Sequence, residues 1–180
     1  MRRSIIGFAL LLVVAGCGGD PQASPALTPS TPAASPVSTT PSPPVMPEAA
    51  KANTKAGAIA FVRHYIEVFN FAQTTGSATD LSGLSSQRCD ECTAAIDALE
   101  HIYGSGGHIE GGALTPRAIA AEHNRAEDMW VVLAQIDSGP QSVASSATSS
   151  PMNLPGGRRS MSFSVIQEHG GWKVRAWSRA

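Results

Sequence analysis

Between Tyr103 and His108 the spacing of apolar side chains changes from three or four residues to two. A helix repeats every 3.6 residues and a strand every 2, so one chain cannot satisfy both rhythms in one element. Before the change, Ile59, Val62, Ile66, Phe69 and Gln73 mark one helical face, which Phe61, Tyr65 and Ala72 widen. Thr54 or Asn53 is placed to cap its start and Gly76 its end. A short helical turn is expected around Asp80 to Leu84. A second amphipathic helix is expected after Cys92, carried by Ala95, Ile96, Leu99, Ile102 and Tyr103. Asp90 and Glu91 fall in its first turn, where the helix dipole favours carboxylates. Gly104, Gly106 and Gly107 end it.

After the change the chain reads as strands. His108 to Glu110 and Leu114 to Ala121 form a first strand region, broken by Gly111-Gly112 and kinked or edge-placed at Pro116. Met129 to Asp137 is apolar on both faces, which suits a central strand. In Ser160 to Glu168, Met161, Phe163 and Val165 point in. Trp172, Val174 and Ala176 alternate with Lys173 and Arg175 beyond a His169-Gly170-Gly171 turn, giving a hairpin with one wet face. Ser138 to Gly157 shows no period and is expected to be a flexible loop, or a lid over a pocket. Helices followed by strands make an α+β domain. Two to three N-terminal helices pack on a curved four-stranded antiparallel sheet. That order resembles the cone-shaped NTF2-like fold, with the cystatin-like arrangement as close kin.

The N-terminal third has a different composition. Met1-Arg2-Arg3 precedes an apolar run from Ile5 to Ala15, too short for a membrane span of about 20 residues but suited to a signal peptide. Val14-Ala15-Gly16-Cys17 resembles the lipobox of bacterial lipoproteins. The resemblance implies removal of residues 1–16 and a diacylglyceryl group on the Cys17 thiol. From Gly18 to about Asn53 prolines recur every few residues among Ser, Thr and Ala, with little apolar mass to offset ordering entropy. Residues 17–53 therefore read as a lipidated, disordered tether. It spans about 30 Å if flexible and about 100 Å if extended. Residues 54–180 are left for one domain.

The 13 basic and 14 acidic residues become 11 and 14 once Arg2 and Arg3 are removed, a charge near −3. A nucleic-acid binder shows a basic excess on its domain, so that class is set aside. Acidic residues gather between Asp90 and Asp128, and Arg158, Arg159, Lys173, Arg175 and Arg179 near the end. These are two solvated faces, or a docking face for an anionic partner on the last hairpin.

Several short patterns occur together. They are Phe61-Val62-Arg63-x-Tyr65, Asn70-Phe71-Ala72, Thr75-Gly76, Leu81 to Ser85, Cys89-x-x-Cys92 and Gly106-Gly107-x-Ile109-Glu110-Gly111-Gly112. Together they resemble a domain family of unknown function in actinobacterial lipoproteins, from about Ala58 to the C-terminus. Phe71 and Ser77 depart from its pattern, where Tyr and Asp are usual. The resemblance implies lipid anchoring and this fold, and no activity.

Three chemistries compete for Cys89 and Cys92. An exported chain meets an oxidising compartment, so a structural disulfide is the default. Closing so short a loop stabilises by about 2 kcal/mol in the chain-entropy model. A redox pair is disfavoured by Asp90 and Glu91, which raise a neighbouring thiol pKa. A metal site lacks the usual downstream spacing at His101 and His108. For acid–base catalysis the candidates are Tyr65, Asp80, His108 and His123, with Asp80 also placed to cap a helix and His64 expected on the solvent side. If helices and sheet enclose a cavity, Tyr65, Phe69, His108, Trp130 and Trp172 are placed to line it. No spacing here demands a catalytic constellation, a metal or a cofactor. The expected function is a lipid-anchored binding or interaction module outside the membrane, with a small molecule or protein as partner. The alternatives are a small-molecule enzyme using the cavity and a CxxC thiol–disulfide protein.

Overall fold

The computed structural model describes residues 41–180. The expected signal segment 1–16, Cys17 and the expected tether as far as residue 40 lie outside them. Among the described residues no helix is long and apolar enough to cross a membrane.

Helix α1 (Lys55–Thr75) starts where Thr54 Oγ1 accepts from the Gly57 amide at 3.0 Å. It stops at Gly76, whose φ of 77° is the left-handed turn that glycine adopts without a Cβ penalty. A Cβ there would also lie 2.4 Å from the Tyr103 ring. Helices α2 (Thr79–Leu84) and α3 (Asp90–Gly104) follow. Asp80 lies in the first turn of α2, not at its cap, which is Ala78. The carboxylate still meets the positive end of the helix dipole.

The chain then forms two antiparallel sheets. Strands β2 (Leu114–Asn124), β3 (Met129–Ser138), β6 (Gly157–Glu168) and β7 (Gly171–Arg179) make the expected four-stranded sheet in the order β2-β3-β6-β7. Pro116 sits on its edge strand, beside a bulge, where a missing N–H breaks no ladder. The second sheet, β1-β4-β5, joins β1 (His108–Gly111) to β4 (Gln141–Ala144) and β5 (Met152–Leu154). It corrects two expectations. His108 to Gly111 does not continue into β2, because Gly111 and Gly112 at φ 71° and 72° turn the chain away. Residues 138–157 are not a structureless loop but supply two short strands.

The core lies between α1 and the inner sheet face. Phe61, Val62, Tyr65, Ile66 and Val68 of the helix pack with Val132, Ile136, Phe163, Val165 and Val174. The Phe61 ring stacks on Trp172 with centroids 5.9 Å apart and planes at 21°. The folded body also begins before Thr54. Glu48–Lys51 forms a 3-10 turn, Ala50 is fully buried and Met46 packs on the core. Asn53 Oδ1 accepts from Trp130 Nε1 at 3.1 Å. The last residues assigned to the tether are therefore part of the domain, because Met46 and Ala50 find apolar surface on it.

His64, expected on the solvent side, is buried, and its Nδ1 has no hydrogen-bond partner. Burial lowers its pKa, with Glu67 and Asp80 pulling the other way. A histidine whose folded pKa is depressed gives stability that is complete above its unfolded value, about 6.5. That stability is lost as pH falls from there through the folded value. The melting temperature is therefore expected to drop between pH 7.5 and 5.5, and to drop less in His64→Gln. Thermal melts of both proteins at the two pH values check this.

Candidate functional site

A cavity of about 250 Å³ opens between the second half of α1, the β3 and β6 ends, and the small sheet. Helix spacing puts Tyr65, Ile66, Phe69 and Gln73 on one wall. From Tyr65 to Gln73 that wall runs about 12 Å at 1.5 Å per residue. The sheet supplies Ile136, Met161, Phe163 and Trp177. Leu154, Pro155, Gly139 and Gln141 of the β4–β5 region close the other side, so the segment expected as a loop or lid is one of its walls. Leu154, Pro155 and Arg159 are exposed and form its rim.

The two ends differ. At the inner end Tyr65 meets the edge of Phe163, with centroids 6.3 Å apart. The Tyr65 hydroxyl lies 3.4 Å from Ser85 Oγ and 3.5 Å from Cys92 Sγ. Burial pushes its pKa up, with Ser85 a smaller opposing influence, so it remains a neutral phenol. Further along α1, Gln73 Oε1 accepts from Gln141 Nε2 at 2.8 Å. Gln73 Nε2 has no partner, nor does Trp177 Nε1, and both are buried. Arg159 donates to Ser138 Oγ at 3.3 Å and, among the described residues, meets no carboxylate. Its neighbour Arg158 is held by Asp137, at 2.6 Å and 3.0 Å, and Arg117 reaches the same carboxylate at 2.9 Å. Those two guanidiniums hold the Asp137 pKa far below the usual carboxylate range. The cluster ties β2, β3 and β6 together beside the mouth.

Of the five residues placed to line a cavity, Tyr65 and Phe69 do. Trp172 is core, stacked on Phe61, and borders a separate small recess with Trp130. Trp130 packs on His123, centroids 4.9 Å apart, beside that recess of about 30 Å³ near Asn53 and Asp128. His108 is largely exposed on β1, with Glu110 at 3.7 Å. The helix and the two sheets thus bring none of Asp80, His108 and His123 to the cavity. Trp177 went unrecognised in the sequence because the β6–β7 ladder has a bulge. Val165 pairs with Val174 but Ser164 with Ala176, so Arg175 is an extra residue and the inward parity moves from Ala176 to Trp177.

Cys89 and Cys92 form a disulfide at the start of α3. Both are fully buried, so neither sulfur is open to an attacking thiolate. Ser86 N–H donates to Val174 O at 2.8 Å, which docks the cross-linked corner on β7. No group of three or more metal-ligating side chains occurs among the described residues.

Solved structures give the fold relatives. The intermembrane space region of the chloroplast protein ARC6 superposes with a TM-score of 0.55 at 11% identity, covering 71% of this chain and 97% of that one. Aln2 from a Streptomyces species is a looser likeness, at a TM-score of 0.42 and 9% identity over 66% and 85% of the two chains. So is an uncharacterized protein with a cystatin-like fold from Caulobacter vibrioides, at 0.39 and 10% over 67% and 86%. At such identities the likeness is one of fold alone. No curated protein matches the sequence. A family model does match, over residues 31–177, and the chain belongs to that family, the family of unknown function DUF6318.

Proposed function

We propose that this protein is a small-molecule-binding module held at the outer face of a cell membrane by a lipid on Cys17. The observation that carries the binding half is the open apolar cavity, whose walls, among the described residues, include no Asp, Glu, His, Lys or Cys. Its titratable groups among the described residues are a phenol, which burial keeps neutral, and a guanidinium. An apolar hollow with few polar groups is the usual form of a ligand site. An enzyme of this shape needs a general base beside its acid, and the described wall offers no carboxylate or imidazole for that role. The structural disulfide accords with an oxidising compartment outside the cytoplasm.

The anchoring half rests on the resemblance of Val14-Ala15-Gly16-Cys17 to a lipobox, and the short patterns from Phe61 to Gly112 support an origin among actinobacterial lipoproteins. Two acyl chains hold a protein to a bilayer where one is marginal, at about 0.8 kcal/mol per buried methylene. The proline-rich residues that follow set the domain at a variable distance from the surface. Cys17→Ser is expected to move the protein from the membrane fraction to the soluble fraction, or to leave an unprocessed precursor. Fractionation and intact mass check this. A variant that stays membrane-bound at its mature mass contradicts lipid anchoring through Cys17.

A further inference from the structure

The cavity has more to say about the chemistry of its ligand than about its identity. The buried side-chain polar atoms of its wall that lack a partner are both donors, Gln73 Nε2 and Trp177 Nε1. Gln73 is 8% exposed, and its Nε2 meets neither a protein acceptor nor solvent. Trp177 Nε1 is in the same condition. A buried donor left unmade costs about 1–3 kcal/mol, so an acceptor that reaches it recovers that cost. The Gln73 terminal torsion is broad and soft, so the amide can leave Gln141 and turn its Nε2 to the cavity, which frees the Gln141 Nε2 donor as well. Among the described residues Arg159 adds the wall's one formal charge, and no carboxylate neutralises it, because Asp137 is taken by Arg117 and Arg158. The wall is therefore apolar around Tyr65 and Phe163 and carries its donors and its positive charge at Gln73 and Arg159.

Size narrows the ligand further. A cavity of about 150 Å³ takes a benzene ring, so 250 Å³ takes about ten non-hydrogen atoms. Resting on the reading of the cavity as a ligand site, we propose that it binds a small amphipathic monocarboxylate of about ten non-hydrogen atoms. The apolar tail lies against Tyr65, Phe69 and Phe163, and the carboxylate accepts from Gln73 Nε2 and the Arg159 guanidinium. A cationic head of the same length meets Arg159 as a like charge and is rejected.

The test titrates the ¹⁵N-labelled full chain carrying Cys17→Ser with octanoate, octan-1-ol and octylamine. Octanoate is expected to bind about tenfold or more tighter than octylamine, as a hydrogen bond to a charged group is worth about 1.5–3 kcal/mol. It should move the Gln73 side-chain amide resonances and shift the Trp177 indole N–H, leaving the Trp130 indole, bonded to Asn53, in place. Gln73→Glu and the surface change Arg159→Gln should each weaken octanoate about tenfold and leave octan-1-ol within about twofold. Octanoate binding no tighter than octan-1-ol, or unaffected by both substitutions, overturns the carboxylate assignment and leaves the cavity a neutral apolar site. If none of the three probes moves a resonance of the cavity wall, the reading of the cavity as a ligand site falls with it.

Discussion

Phe61→Ala is expected to lower the unfolding free energy by about 3–5 kcal/mol, the usual cost of truncating a buried aromatic. Phe61 has no exposed surface, and its ring touches both layers of the domain. It stacks on Trp172 of β7 and lies 6.5 Å, centroid to centroid, from Tyr65 one helical turn on. The substitution loses the transfer free energy of the ring and leaves a void between helix and sheet that a packed interior closes only in part. Domains of this size are stable by about 5–15 kcal/mol, so the loss takes a large share of the margin. Urea unfolding should show a lower midpoint with an unchanged slope. Leu133→Ala, on the open face of β3 where Leu133 is 51% exposed, should stay within about 0.5 kcal/mol. Equal effects at the two positions would mean that the core does not lie on the inner face.

Asn70→Ala is expected to cost about 2–4 kcal/mol, more than its half-buried position suggests. Its side chain acts as a piece of backbone. Asn70 Nδ2 donates to Leu114 O at 2.8 Å, and Asn70 Oδ1 accepts from Leu114 N–H at 2.8 Å. Leu114 opens β2 just after the Gly111-Gly112 turn and is a cavity wall, so the pair fixes where the edge strand begins against α1. Removing the amide leaves one donor and one acceptor unmade, at about 1–3 kcal/mol each. Asn70→Asp should rescue little, because it sets a carboxylate against the Leu114 carbonyl. Denaturant melts give the magnitude, and faster hydrogen exchange at the Leu114 amide locates it. An alanine variant with unchanged exchange there would exclude the clamp.

These two residues show what could be read in the chain before its structure. Phe61 was legible from the helical period, and so were α1, α3 and the four long strands, because each repeats its pattern over enough residues to be distinctive. Strands β4 and β5, four and three residues long, are too short for a period of two to stand out among serines and glycines. Their pairing with β1 is set by tertiary contact rather than local preference. Asn70 stood in the recognisable pattern Asn70-Phe71-Ala72, but nothing in that pattern says that its amide substitutes for a strand partner. The cavity was half legible. Tyr65 and Phe69 lie on a face fixed by the helix, whereas Trp177 depends on a bulge that no local residue announces. His108 and Trp130 were misplaced because the chain leaves the first strand region at Gly111 and because Trp130 turns to Asn53 at the far end of the sheet. Gln73 counted only as a position on the helix face, and its polarity carries meaning once Gln141 is seen to hold its other atom.

The central claim is that the domain carries a ligand in the α1–sheet cavity. Native mass spectrometry of the full chain with Cys17→Ser, with octanoate and octan-1-ol supplied in turn, tests it most directly. The account predicts a non-covalent adduct that disappears on denaturation and is lost in Leu114→Trp, where the larger side chain fills the space. Identical native and denatured masses with either compound, in a folded protein, would contradict it.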